Sequence, residues 1–235
     1  MKIIRKILLG LFVLSGFVFS QSIIEPAYGL WGLGMTNRDR NYINSDSDIS
    51  FSPFIFGGFG PIWVEANRFG YTFYRDGIRF MSVAGMLRSH QFREKSPDIS
   101  ERKASFEMGL QAGMHLPGGF VSRLAFMHDI SSRHKSYELD LQLYRHDNLG
   151  PLRLLSAIGL QYQSQKLVNY YYGTSNYNPK AAFAGELEFI VTYPFTDWAI
   201  FSGIRTYIFD KHVRNSPVAD GAVINNVFTG IGIYL

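Results

Sequence analysis

The chain contains no cysteine among its 235 residues. That absence excludes a disulfide framework, thiol chemistry and anchoring through a lipidated N-terminal cysteine. A surplus of one charge is lacking too, once the first segment is set aside. Lys2, Arg5 and Lys6 supply three of the 23 basic residues, and residues 1–20 supply none of the 19 acidic ones, so residues 21–235 carry 20 against 19. The pI of about 9.2 therefore marks no basic face, and nucleic acid is set aside as a partner. Beyond Ser20 no stretch approaches the roughly 18 uninterrupted apolar residues of a membrane helix. No proline- or serine-rich linker divides residues 21–235, which read as one β domain.

What is present begins with a basic start and an apolar run from Ile7 to Phe19, too short to span a bilayer. Val18-Phe19-Ser20 before Gln21 is an imperfect small-x-small site. Residues 1–20 therefore read as a secretory signal peptide cut between Ser20 and Gln21, with an uncleaved anchor helix as the competing reading.

Aromatic residues at 16% and 23 glycines favour strands over helices. A soluble sandwich and a membrane barrel would share that composition, so the period-two pattern has to separate them. From Ala104 to Leu116, apolar residues such as Phe106, Met108 and Leu110 alternate with Glu107, Gly109 and Gln111. Thirteen residues of strict alternation exceed the usual soluble strand of about 5–6 and suffice to cross lipid at a tilt. The pattern returns at 136–145, 152–163 and 183–193.

The connections also alternate. Pro117-Gly118-Gly119, 146–150 and 194–197 are short, while 93–103, 166–179 and 211–221 are long and polar, with a tighter connection at 131–135. Outer-membrane barrels keep short turns in the periplasm and long loops outside, which assigns the second group to the outer surface. From Gly77 onward this gives eight strands, the last running from Val223 to Leu235. Tyr28 to Met35, Ile49 to Phe56, Pro61 to Ala66 and Phe69 to Arg75 bring the total to twelve. A kink at Gly57-Gly58-Phe59-Gly60-Pro61 would leave ten. The expected fold is an all-β, antiparallel transmembrane β-barrel of about twelve strands in the outer membrane.

With the apolar faces toward lipid, Glu107, Glu138, Asp140, Glu186, Glu188, Arg123, Arg153 and Arg205 turn inward. If the hairpin around Phe195 and Thr196 closes symmetrically, Glu186 falls opposite Arg205 as a lumen ion pair. Such pairs neutralise one another in a barrel filled by its own side chains, the preferred reading over a selective pore.

The sharpest enzymatic possibility is His134, Ser136 and Glu138, which share one strand face. Outer-membrane lipid A deacylases use a Ser/His/Glu set, but the surrounding residues do not match theirs, and an ordinary polar loop is preferred. His90, His115, His128, His146 and His212 show no metal-ligand spacing, so neither metal nor cofactor is expected. Tyr170, Tyr171, Tyr172 and Tyr177 at one strand end, and Phe195 and Trp198 at the other, are expected in interfacial belts.

Several segments together carry a family resemblance: Gly29 to Gly34, Phe69-Gly70-Tyr71 with Asp76-Gly77-Ile78, Tyr171-Tyr172-Gly173-Thr174, and Asn215-Ser216-Pro217-Val218 before the closing strand. In that order and spacing they resemble the MipA/OmpV family of outer-membrane proteins. The family's glycine-rich outer loop is replaced by Ser131 to Ser136, and its aromatic last residue by Leu235. The resemblance implies a non-enzymatic scaffold of the cell envelope, similar to an adaptor between a lytic transglycosylase and a peptidoglycan-synthesising penicillin-binding protein. The expected partners are outer-membrane lipid and lipopolysaccharide, with murein-synthesising and murein-cleaving enzymes. A small diffusion channel, a surface adhesin and, last, a lipid A-modifying enzyme are the alternatives.

Overall fold

The computed structural model describes residues 27–43, 48–89 and 100–235. The expected signal peptide with its Ser20/Gln21 cleavage point, His90 and positions 93–99 of the expected loop lie outside the described residues.

Twelve strands follow in order. They are β1 (Ala27–Arg38), β2 (Asp48–Phe59), β3 (Ile62–Glu65), β4 (Arg68–Arg75), β5 (Arg79–Arg88) and β6 (Ser105–His115), then β7 (Phe120–Asp129), β8 (Tyr137–Leu149), β9 (Leu152–Gln163), β10 (Ala182–Pro194), β11 (Ala199–Phe209) and β12 (Val223–Tyr234). Each pairs antiparallel with its sequence neighbours, and β1 pairs with β12 from Leu30↔Tyr234 to Arg38↔Asn226, closing the barrel. Gly29 and Leu235 exchange backbone hydrogen bonds of 3.1 and 3.0 Å at the foot of that seam. Leu235 is thus part of the wall, and closure leaves no edge where β1 meets β12.

The Gly57–Pro61 cluster is a hairpin turn rather than a kink, so the count is twelve and not ten. Its partner strand β3 has only four residues, however. Among the described residues, positions 48–54 of β2 pair with β1 alone, because β3 reaches only to Phe56↔Glu65 and Ala66 N donates to Ile55 O. Pro53, which has no N–H to offer, sits in this one-sided stretch.

Short turns gather at one end, where Gly118 and Gly119 take φ of 77° and 78° that L side chains rarely adopt. That end is the periplasmic one by the turn-length rule. At the other end the connection after β9 folds into helix α1 (Gln165–Tyr172), and the one after β11 into the single turn α2 (Lys211–Arg214).

The wall is inverted relative to a soluble protein. Leu110, Leu124, Leu141, Ile158 and Ile231 are each at least half exposed on the outside, while Arg88, Glu107, Glu138, Asp140 and Glu186 are buried within. In water such an apolar band would aggregate; in hydrocarbon it is required.

Candidate functional site

The lumen is where the chain's polar chemistry collects, in four levels from the outer mouth to the periplasm. The outermost is a stopper. Leu167, Val168, Tyr171 and Tyr172 on α1 are fully buried, because the spacing i, i+1, i+4, i+5 puts them on one helical face. That face packs with Tyr42, Phe209, Val213 and Ile224 in a single apolar cluster. Neighbouring loops lace it down. Tyr42 Oη donates to Tyr171 O at 3.2 Å, Ser216 Oγ to Tyr172 O at 2.6 Å and Arg102 Nη2 to Gly173 O at 2.8 Å.

Directly beneath, Arg88 on β5 is completely buried. Its Nε and Nη2 donate to the two oxygens of Glu107 on β6 at 2.6 and 3.1 Å, and Nη2 lies 2.8 Å from Glu138 on β8. Gln163 donates to Glu138 at 3.1 Å, and Tyr171 Oη reaches Ser105 Oγ at 3.1 Å, which ties the stopper to this layer. A guanidinium fork can satisfy two carboxylates at once, which a lysine point charge does less well.

The expected His134, Ser136 and Glu138 set is dispersed into this layer. His134 Nε2 lies 3.1 Å from Glu107, not Glu138; Ser136 Oγ pairs with Ser164 Oγ at 2.5 Å; Glu138 is held by Arg88 and Gln163. Each of the three side chains hydrogen bonds to a different partner, and none of these bonds joins Ser136 to His134 as a nucleophile–base relay would require.

The third level crosses the lumen. Arg68 on β4 pairs with Asp140 on β8, bridging strands that are not neighbours in the wall. From β3 a second chain runs Glu65 to Arg123 at 2.5 Å, Arg123 to Gln142, Gln142 to Glu186 at 2.9 Å, and Glu186 to Arg205 at 3.4 Å. Arg205 in turn donates to Glu188 at 2.9 and 2.5 Å. The expected register of the last hairpin needs correction here. Glu188, not Glu186, stands opposite Arg205, and Glu186 faces Tyr207. The turn contains four residues, Phe195 to Trp198, with Phe195 N donating to Trp198 O at 2.7 Å, which shifts the pairing by two positions. A shift of two preserves the face, so Arg205 reaches both carboxylates.

Below this layer, toward the periplasm, lies a cavity of about 230 Å3. Trp63, Tyr144, His146, Arg68, Arg123 and Glu65 contribute to its wall. Beside it an apolar inner cluster of Leu30, Phe54, Ile190, Ala199, Phe201 and Phe228 fills the remaining width. Gly203 permits this, since a Cβ there would come within 2.5 Å of the Phe228 ring.

Other expected positions are also settled. Arg153 is at the periplasmic rim with its guanidinium 4.5 Å from the Tyr234 ring centroid. Phe195 and Trp198 stack at 4.0 Å and are both exposed at the turn. Tyr171 and Tyr172 do not form a belt; they are buried in the stopper. Sequence reasoning passed over Arg68, Arg88 and Glu65, although Phe80, Ser82, Ala84, Met86 and Arg88 continue one inward face at period two.

A closed antiparallel barrel, apolar without and charged within, defines an outer-membrane β-barrel protein. Among solved structures it is similar to the NanC porin, with a TM-score of 0.51 at 10% identity over 87% of this chain and all of that one. Residues 31–234 match the family described as MltA-interacting protein MipA, and the chain belongs to that family. It is 25% identical to the MltA-interacting protein of Escherichia coli over 85% of this chain and 87% of that protein. It is also 27% identical to outer membrane protein Omp26La of Vibrio anguillarum over 61% of this chain, a match spanning 59% of the relative's length.

Proposed function

We propose that the protein is a non-enzymatic scaffold of the outer membrane that presents its periplasmic turns to murein-processing enzymes. The observation that carries this reading is the filled outer lumen. With α1 buried in the mouth and two ion-paired layers beneath it, the barrel's exposed surfaces outside lipid are its loops and turns. Ions and solutes would meet paired charges and packed aromatic rings, which weighs against a diffusion channel. The dispersal of His134, Ser136 and Glu138 among separate partners weighs against a lipid A-modifying enzyme. The E. coli relative named for interaction with MltA supplies the class of partner.

Photoreactive residues at Asn148, at the periplasmic end of β8, and at Thr196, on the β10–β11 turn, test the reading in whole cells. Crosslinks to a periplasmic transglycosylase or synthase are expected from these two positions and not from surface position Asn176. Capture from Asn176 alone would replace the scaffold reading with a surface-adhesin one.

A further inference from the structure

The periplasmic cavity is unexplained by a scaffold built on turns, and its chemistry is specific. Aromatic surfaces come from opposite sides of the barrel: Trp63 from β3, and Tyr144 and His146 from β8. Between them stand polar groups of both signs. Arg123 is the best held of these: its side chain is 9% exposed, and its Nη1 and Nη2 are taken by Glu65 and Gln142. Glu65, by contrast, is 40% exposed. Guanidinium and carboxylate groups held in this way offer fixed donors and acceptors to a ligand at the cavity wall.

The charge balance narrows the class. Arg68, Arg123 and Arg205 already face Asp140, Glu65 and Glu188, and Glu186 adds a further carboxylate. An anionic ligand would have to displace a bound carboxylate, and a cation would meet guanidinium groups. A neutral saccharide meets neither obstacle. Its hydroxyls both donate and accept, matching a lining of paired arginine and carboxylate groups with Gln142 between them, and its C–H faces lie on rings. At about 230 Å3 the space falls below the roughly 300–1,000 Å3 of drug-sized ligand sites. That limits the enclosed part of the occupant to one sugar ring, with any second ring projecting through the periplasmic mouth.

The direction of entry follows from the stopper. The outer mouth is filled by α1, whereas Tyr28 and His146 are exposed at the periplasmic end of the cavity. We propose that the cavity is a binding site for a neutral saccharide of one or two rings, admitted from the periplasm. This stands independently of the scaffold reading, since it concerns the lumen and not the turns.

The test uses the full barrel in detergent micelles with Trp31→Phe and Trp198→Phe, leaving Trp63 as the single tryptophan reporter. N,N′-diacetylchitobiose is titrated as the neutral probe, with N-acetylneuraminic acid and spermidine as charged ones. A saturable change in Trp63 emission with the neutral disaccharide is expected in the millimolar range, and none with the charged probes. His146→Ala and Tyr144→Leu should each weaken binding at least fivefold while the folded barrel keeps its heat-modifiable gel migration. Saturation-transfer NMR on the unsubstituted protein reads the same binding without the tryptophan substitutions. No transfer to the disaccharide, equal binding in both variants, or tighter binding of the charged sugar would overturn the proposal.

Discussion

Toward the outer surface Arg88 is sealed between Glu107 and Glu138 under a helix, whereas toward the periplasm Arg123 holds a Glu65 whose side chain is 40% exposed. Both are arginine–carboxylate clusters on the same barrel wall. The difference lies in the water around them. Without solvent, removing one partner strands a charge; with solvent nearby, water replaces the lost contact. The outer half of the lumen is therefore structural, and the periplasmic half is free to exchange its contacts.

Arg88→Met is the strongest challenge to this contrast. It leaves Glu107 and Glu138 facing each other in a dry layer, and a loss of about 3–5 kcal/mol is expected. Urea unfolding in micelles, followed by tryptophan fluorescence, measures it. Next in size is Tyr172→Ala, which empties the centre of the stopper at a cost of about 3 kcal/mol. Planar-bilayer conductance should rise in the same variant; an unchanged conductance would mean that α1 is not what closes the mouth. Glu65→Gln, at the solvated cluster, should cost less than about 1 kcal/mol. Equal losses for Arg88→Met and Glu65→Gln would erase the distinction between the halves.

The smallest effect is expected at a periplasmic turn. Asp76 accepts from Arg79 N at 2.7 Å, Ile78 N at 3.1 Å and Tyr74 Oη at 2.8 Å. The Arg79 amide foremost, with the Tyr74 hydroxyl, holds its carboxyl well below the usual carboxylate range. A depressed value in the folded state means that this support is complete above about pH 4 and is lost as pH falls further. Asp76→Asn should abolish the acid-dependent movement of the Arg79 amide resonance without altering unfolding elsewhere.

How far these halves could be read beforehand differs too. The wall was legible because lipid outside and polar lumen inside impose period two on every strand, as Ala104 to Leu116 displays. The stopper was not. Its pattern at Leu167, Val168, Tyr171 and Tyr172 is helical, but it lies in a connection between long strands, and its tyrosines have the composition of a membrane belt. Pairings across the lumen, such as Arg68 with Asp140, depend on barrel curvature and strand tilt, which no local pattern encodes. The Arg205 register depended on a single turn length. Its face survived the error because two is the period of a strand.

The cross-lumen pairs bear on how the protein reaches its place. A flat or half-closed sheet entering the bilayer would expose Arg68, Arg123 and their carboxylates to hydrocarbon one strand at a time. Each would be without its partner, because Asp140 and Glu65 sit four strands away. Entry into hydrocarbon costs least once the sheet has curled far enough to bring β3 to β7 and β4 to β8. The cross-lumen pairs thus couple the curvature of the wall to its burial in lipid, since each charge is covered only where the sheet bends.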